Sequence, residues 1–455
     1  MAVTIIISAV LIAGFLAGLR LMQNPATARN GNRLSALCMA LAILFTINEL
    51  GIWNSVSTWI LIVIGSVAGI LLGQKVMMIQ MPQLVALLNG FGGAASAIVA
   101  ATSLSLTANP GALVVLTAAL ALAVGSITFF GSAIAALKLQ GTVSQKTVSL
   151  KGHRYWLGAL LAAGLLLIIL SIFYPGPLFY VIAVLFSIYG VLMTLRVGGA
   201  DMPIIISFLN SLSGIAAAIC GLAVYNILLA GAGALVGVAG MILTQLMCKA
   251  MNRNLQAVLS GFSGATPVPG TPQPEEPGPQ AQSLKEEQIP DLVREAQKVI
   301  FVPGYGMAVS QAQQQVKDLI DVLESRGKTV KIAIHPVAGR MPGHMNVLLA
   351  EVGVPYEMLY DMDTINPEFA ETDLVIVVGA CDVINPAANS AEGTPIYGMP
   401  ILEVEKARHI LIFNLDARPG YSCVENSLYS KQNVLTVWGD AKETVARVTA
   451  SLGEE

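Results

Sequence analysis

The chain of 455 residues is 55% hydrophobic and only 12% charged, with a mean hydropathy of +0.70, which excludes a wholly soluble protein of this length. Its formal charge of −3 is segregated: residues 1–253 hold two acids, Glu49 and Asp201, and every other Asp and Glu lies beyond Pro274. The net charge thus averages an apolar half with an acidic half, and no nucleic-acid partner is expected.

Crossing a bilayer takes about 20 apolar residues in a helix, and nine stretches qualify: 2–19, 34–52, 55–74, 82–104, 111–137, 155–174, 177–195, 202–224 and 226–248. Arg20, Arg29, Arg33, Lys75, Lys138, Lys146, Lys151, Arg154, Arg196, Lys249 and Arg253 all fall on alternate connections. The positive-inside rule then places the N-terminus outside and the end of the ninth span in the cytoplasm or an equivalent compartment. The first span lacks a basic leader and a small-residue cleavage site, so it reads as retained. Rows of small residues at four-residue spacing, Gly65, Gly69 and Gly73, then Gly233 and Gly237, suit close helix packing.

Polar residues within spans are costly and informative. Asn89 and Asn210 lie at similar depth, the latter beside Ser211 and Ser213; they read either as interhelical struts or as lining of a hydrated path. No span carries His, Lys, Arg or a carboxylate at mid-depth. Asp201, before Met202-Pro203 at the edge of span eight, is a candidate entry point for protons or ions, or an acid favoured by the helix dipole.

From Gly261 to about Asp291 the chain is rich in Gly, Pro, Gln, Glu and Ser, a composition that cannot bury a core and behaves as a tether. This divides the chain into a membrane domain, 1–253, a flexible linker, 254–291, and a soluble domain, 292–455. In the last, short β-rich runs alternate with helical stretches. Strands are predicted at Lys298–Val302, Val330–Ile334, Tyr356–Leu359, Leu374–Val378, Ile410–Phe413 and Val434–Trp438, and helices at 308–325, 344–352 and 440–451. The fold class is an α-helical transmembrane bundle followed by a Rossmann-like α/β domain, a doubly wound parallel sheet with ligands at the C-terminal strand ends. Cys38, Cys220, Cys248, Cys381 and Cys423 show no metal or disulfide spacing, and the four histidines suggest no metal site.

Val302-Pro303-Gly304-Tyr305-Gly306-Met307-Ala308-Val309 joins the first strand to a helix. Gly304 suits a tight turn, Gly306 close approach of a phosphate, and the following amides an anion, although Val309 replaces the third glycine. A purely structural turn is the alternative. The second strand runs into His335-Pro336-Val337-Ala338-Gly339-Arg340-Met341-Pro342 with no acid for a ribose 2′-hydroxyl. Arg340 suggests a phosphate instead, or a surface ion pair. Asp382, after Gly379-Ala380-Cys381, is placed to contact ribose or nicotinamide, to act as a proton-linked switch, or to cap the next helix. Gly439-Asp440-Ala441 ends the sixth strand, and Asp440 is a rim residue or a cap.

Together these strings closely resemble the beta subunit of proton-translocating nicotinamide nucleotide transhydrogenase. Asp201-Met202-Pro203, Leu209-Asn210-Ser211 and Met247-Cys248-Lys249-Ala250-Met251-Asn252-Arg253 extend the resemblance through the membrane half. It implies that this chain binds NADP(H) and forms part of a proton channel. NAD(H) would bind a partner alpha subunit with its own nucleotide domain and further transmembrane helices, in a dimer of alpha–beta assemblies. Hydride would pass from NADH to NADP⁺ as protons move inward across the bacterial inner membrane, with the C-terminal domain cytoplasmic. Asp382, Asn89, Asn210 and Asp201 are then the candidate catalytic or proton-path residues. Cofactor contacts fall to Gly304, Tyr305, Gly306, Ala308, Val309, Gly339, Arg340, Met341, Pro342, Asp382, Arg418, Gly420, Tyr421, Gly439, Asp440 and Ala441. Asn89 stands where many family members have His, and Asn414-Leu415-Asp416 where Lys-Arg-Ser commonly meets the 2′-phosphate, leaving Arg418 as the replacement charge. Cys423 and Ser427 stand where the family often has Gly and Pro, and Gly420-Tyr421 resembles its cofactor lid. From the residues alone, an ion channel or carrier regulated by a nucleotide-sensing domain is the competing reading.

Overall fold

A computed structural model describes the chain except residues 1, 78–79, 108–109, 145–146, 149–150, 175, 261–287, 342, 393, 395, 421 and 454–455. The tether predicted at 254–291 falls largely outside the described residues. The chain forms two compact units, residues 1–197 with 205–244, and residues 198–204 with 245–455.

Nine helices among the described residues are long and apolar enough to cross a membrane. They are α1 (Ala2–Met22), α2 (Pro25–Glu49), α3 (Val56–Lys75), α4 (Met81–Leu106), α5 (Ala112–Gln140), α6 (His153–Leu170), α7 (Pro177–Leu195), α8 (Met202–Ala223) and α9 (Ile227–Ala250). The second begins at Pro25 rather than the predicted 34, because Pro25 opens a helix whose first turns are polar.

Glycine sets the closest crossings. A Cβ on Gly93 of α4 would lie 2.6 Å from Thr128 Cβ, and one on Gly125 of α5 would lie 2.4 Å from the Gly93 oxygen. Across α8 and α9, a Cβ on Gly214 would lie 2.3 Å from Gly237 N and one on Gly233 2.4 Å from Ala218 N. The α9 glycine row therefore packs as predicted. The α3 row does not: Cβ atoms on Gly65, Gly69 and Gly73 would meet nothing within 4 Å, and α3 has no buried residue. The bundle core is small-residue packing, with Ala118, Ala119 and Ala121 of α5 fully buried beside Ile182 and Phe186 of α7.

The second unit contains α10 (Leu255–Ser260), α11 (Ile289–Glu295), α12 (Tyr305–Ser310), α13 (Gln313–Ser325), α14 (His344–Glu351), α15 (Met362–Ile365), α16 (Ala387–Ser390) and α17 (Ala441–Gly453). Its strands are β1 (Lys298–Pro303), β2 (Thr329–Ile334), β3 (Leu359–Asp361), β4 (Leu374–Val378), β5 (His409–Asn414) and β6 (Val434–Trp438). They form one sheet in the order β3-β2-β1-β4-β5-β6, parallel throughout, with Val299 opposite Val330 and Leu374, and Val375 opposite Ile410. Every residue of β4 is buried, as expected of a central strand covered on both faces. Val316, Leu319, Ile320 and Leu323 give α13 a buried stripe at helical spacing.

Two predicted elements are corrected. The continuous helix 308–325 is broken into α12 and α13 because Gln311 takes the left-handed conformation, φ 53°. The third strand is displaced to Leu359–Asp361: Pro355 opens a 3₁₀ turn over Tyr356–Met358. Asp361 then ends the strand by accepting the Thr364 N–H at the start of α15.

Candidate functional site

The sheet order reverses direction between β1 and β4, and in open α/β sheets a ligand crevice lies there at the C-terminal strand ends. Gly304, Tyr305 and Gly306 after β1, Gly339 and Arg340 after β2, Gly379 to Asp382 after β4, and Gly420 and Ser422 after β5 line one cavity. Residues predicted from four separate loops thus converge. Ala308 is buried, Val309 is 54% exposed on α12, and neither these nor Met341, Arg418, Gly439, Asp440 and Ala441 line the cavity. Pro342 and Tyr421 lie outside the described residues.

The glycine turn is shaped first by its neighbour. A Cβ on Gly304 would lie 2.2 Å from the Gly379 oxygen, and one on Gly306 2.6 Å from Gly379 Cα. Gly379 itself has φ +70°, and a Cβ there would lie 2.1 Å from Met307 N. The amides of Gly304, Gly306 and Met307 donate to Val378 O, Gly379 O and Gly304 O. The close approach of Gly379, which the sequence reading did not single out, therefore by itself requires both glycines.

Asp382 is the first residue of the 3₁₀ turn Asp382–Ile384 and not its N-cap, which is Cys381. Its carboxylate instead accepts from Ser422, with N at 3.1 Å from Oδ2 and Oγ at 2.6 Å from Oδ1. A Cβ on Gly420 would sit 2.7 Å from Asp382 Oδ2, so glycine is required for this approach. Further ties hold the same two segments together. Asn385 donates to the Glu425 carbonyl and Asn426 to the Cys381 carbonyl. Asn414, at the end of β5, donates to the Ala380 carbonyl and to Tyr429 Oη. Burial raises the Cys381 thiol and Tyr429 phenol pKa values, so both stay protonated near neutrality. Ser422, Asn385 and Asn426 escaped the sequence reading because their roles arise between segments 40 to 45 residues apart, and Tyr429 because its partner Asn414 is 15 residues away.

Arg340 stacks its guanidinium 4.7 Å from the Tyr305 ring centroid, a planar cation held on an aromatic face. Its backbone N–H donates to His344 Nδ1 at 3.0 Å. Burial and the nearby Arg340 charge lower the His344 pKa, and Gly339, φ +104°, passes so close that a Cβ would lie 2.4 Å from Nδ1. His335 accepts the Val337 N–H on Nδ1 and donates from Nε2 to the Pro400 carbonyl at 2.8 Å. Burial pushes its pKa down to about 4.

Arg418 forks onto Asp416, with Nη2 and Nε at 2.6 and 2.8 Å from Oδ2, and its side chain is 83% exposed. Asp440 accepts the Lys442 N–H at 2.8 Å and so caps α17. Gly439, φ +141°, donates to the Asn414 carbonyl and joins the ends of β5 and β6.

In the membrane helices Asn89 is buried and donates to the Ile206 carbonyl at 3.3 Å. That oxygen lies one turn before Asn210 on α8, so both predicted asparagines stand at one level on neighbouring helices. Ser207 and Ser211 of α8 donate to Gly240 and Gly237 carbonyls of α9. Asp201 is buried, with Oδ1 at 3.4 Å from Arg253 Nε.

A family model for the NAD(P) transhydrogenase beta subunit matches residues 2–451. Over a 467-residue alignment the chain is 40% identical to a Rhodospirillum rubrum protein named NAD(P) transhydrogenase subunit beta, covering 98% of each. A second, strain-level sequence of that species has the same name and the same identity. On this similarity, and with a switch-point crevice and nine apolar helices in one chain, the protein belongs to the NAD(P) transhydrogenase beta subunit family.

Proposed function

We propose that the chain is the NADP(H)-binding, channel-forming subunit of a proton-pumping transhydrogenase of the bacterial inner membrane. Its N-terminus faces outside and its soluble half the cytoplasm. It works with an alpha component that holds NAD(H) and supplies further transmembrane helices, in a dimer of alpha–beta assemblies. The working division is a channel domain, 1–253, a tether, 254–291, and a nucleotide domain, 292–455.

This reading is supported above all by the convergence of the Gly304, Arg340, Asp382 and Gly420 loops on one crevice. The donor set suits a 2′-phosphorylated dinucleotide: β2 is followed by no carboxylate for a ribose 2′-hydroxyl, and Arg340 stands in that loop. Arg418 would have to leave Asp416 to reach a phosphate, which makes Arg340 the better-placed cation. The nicotinamide supplies the hydride chemistry when bound. The chain's own part is to orient, exclude water and switch affinity. Met341, Gly439, Asp440 and Ala441 belong to the rim, and Asp382 governs whether Gly420 and Ser422 are held against the crevice. In the membrane, Asp201 beside Arg253 is the entry group, and the Asn89–Asn210 level orders water where the chain has no titrating side chain.

The test is reconstitution of the chain with its alpha partner in liposomes. NADH-dependent reduction of an NADP⁺ analogue is expected to run with a pH change across the bilayer. Turnover without proton movement would remove the pump, and nucleotide-gated ion flux without hydride transfer would establish a regulated channel instead.

A further inference from the structure

Arg196 closes α7, and its Nε and Nη1 are shut from solvent with no hydrogen-bond partner among the described residues. Two guanidinium nitrogens shut from solvent without an acceptor carry a desolvation cost that a bound anion would offset. Its own helix end does not need it, because other donors already occupy the terminal carbonyls of α7. Lys138, fully buried at the end of α5, donates to the Leu195 and Val197 oxygens at 2.6 and 2.8 Å. His153, at the start of α6, donates from Nε2 to the Leu192 oxygen at 3.1 Å.

Nor does the membrane half hold a spare carboxylate. Its two acids are Glu49, which accepts from Thr4, and Asp201, which pairs with Arg253. The surroundings mark the headgroup level of a bilayer on a lipid-facing side. Tyr155 and Trp156, 83% and 59% exposed, stand on the first turn of α6 beside His153, as aromatic residues do at membrane interfaces. Basic pockets between helix ends on the positive side suit anionic lipid headgroups.

We propose that the basic ends of α5, α6 and α7 form a binding site for the phosphate group of an anionic phospholipid, with the Arg196 guanidinium as its principal donor. Lys138 and His153 shape the site by holding the α7 terminus, so that the Arg196 fork faces a ligand rather than backbone. A phosphate oxygen pair matches that planar fork.

The test uses the full chain, purified in detergent and exchanged into nanodiscs of phosphatidylcholine alone or mixed with phosphatidylglycerol, with bound lipid counted by native mass spectrometry. The wild type is expected to retain phosphatidylglycerol over phosphatidylcholine by about five-fold. Arg196→Gln should bring that preference to parity, and Arg196→Lys should keep part of it. Unfolding temperatures measured in phosphatidylcholine alone show whether each variant is folded, and Arg196→Lys carries the test if the glutamine variant is not. Equal phosphatidylglycerol retention by wild type and Arg196→Gln would overturn the site. Displacement of the lipid by inorganic phosphate would assign it to a free anion. Loss of the preference on adding the alpha subunit would assign Arg196 to a partner carboxylate.

Discussion

Asp382, expected to contact ribose or nicotinamide, to act as a proton-linked switch or to cap a helix, accepts from Ser422 through both backbone N–H and hydroxyl. A charged acceptor in such a bond contributes about 2 kcal/mol, enough to decide whether Ser422 stays against the crevice. Asp382→Asn is therefore expected to weaken NADP(H) binding by roughly ten-fold or more, measured by equilibrium titration of the assembled complex. Ser422→Ala should reproduce much of the loss, and the double variant should be little worse than Asp382→Asn, since both changes break one interaction. Fully additive losses would show that Asp382 acts without Ser422. The partner was illegible in the sequence because Ser422 belongs to no motif and reaches Asp382 only once β5 lies beside β4.

The turn between β1 and α12 shows which features of an element its own residues declare. Alternation of apolar runs and turns placed β1, β2, β4, β5 and β6 to within one residue at each end. Only β3, a three-residue edge strand, escaped, because its position is set by Pro355 and the Asp361 cap rather than by hydrophobic pattern. The glycines after β1 were legible as a requirement, but the close approach of Gly379 to both was not. The phosphate reading asks for room beside Gly306, whereas the structure fills that room with Gly379. Gly306→Ala separates the two. A methyl group 2.6 Å from Gly379 Cα must push β4 and α12 apart, at about 1–3 kcal/mol. Hydrogen exchange in β1 and β4 of the nucleotide-free protein should accelerate accordingly. Unchanged exchange with lost nucleotide binding would show that the glycine serves the phosphate alone.

At the scale of the whole molecule the two halves differ in what can titrate. The membrane half holds two acids in 253 residues, while the soluble half concentrates the remaining carboxylates and three of the four histidines. Hydropathy and basic connections made the spans readable directly, because each crosses the bilayer on its own composition. The soluble half depends on long-range ties, and His335 is one of them: it links the end of β2 to the Pro400 carbonyl, in the connection between β4 and β5. Its folded pKa, about 4, lies below the ordinary 6.5, so the unfolded chain binds the proton more readily. Its contribution is fully present above about 6.5 and is lost as pH falls toward about 4, on the order of 3 kcal/mol at most. Asp361, whose pKa is lowered by hydrogen bonds from the Thr364 side chain and backbone N–H, and Asp373, whose pKa is lowered by the Lys298 and Gln297 N–H groups, lose their contribution only at lower pH, below the usual carboxylate range. Acid should therefore loosen the halves separately. Between about pH 6.5 and 4, hydrogen exchange corrected for its intrinsic pH dependence should accelerate in β1, β2 and β4 while α4, α5, α8 and α9 stay protected. His335→Gln should lower protection at neutral pH but flatten this acid limb, since the replacement cannot take up the proton. Parallel loss of protection in both halves, or an acid limb that survives the substitution, would show that His335 is not the group that titrates.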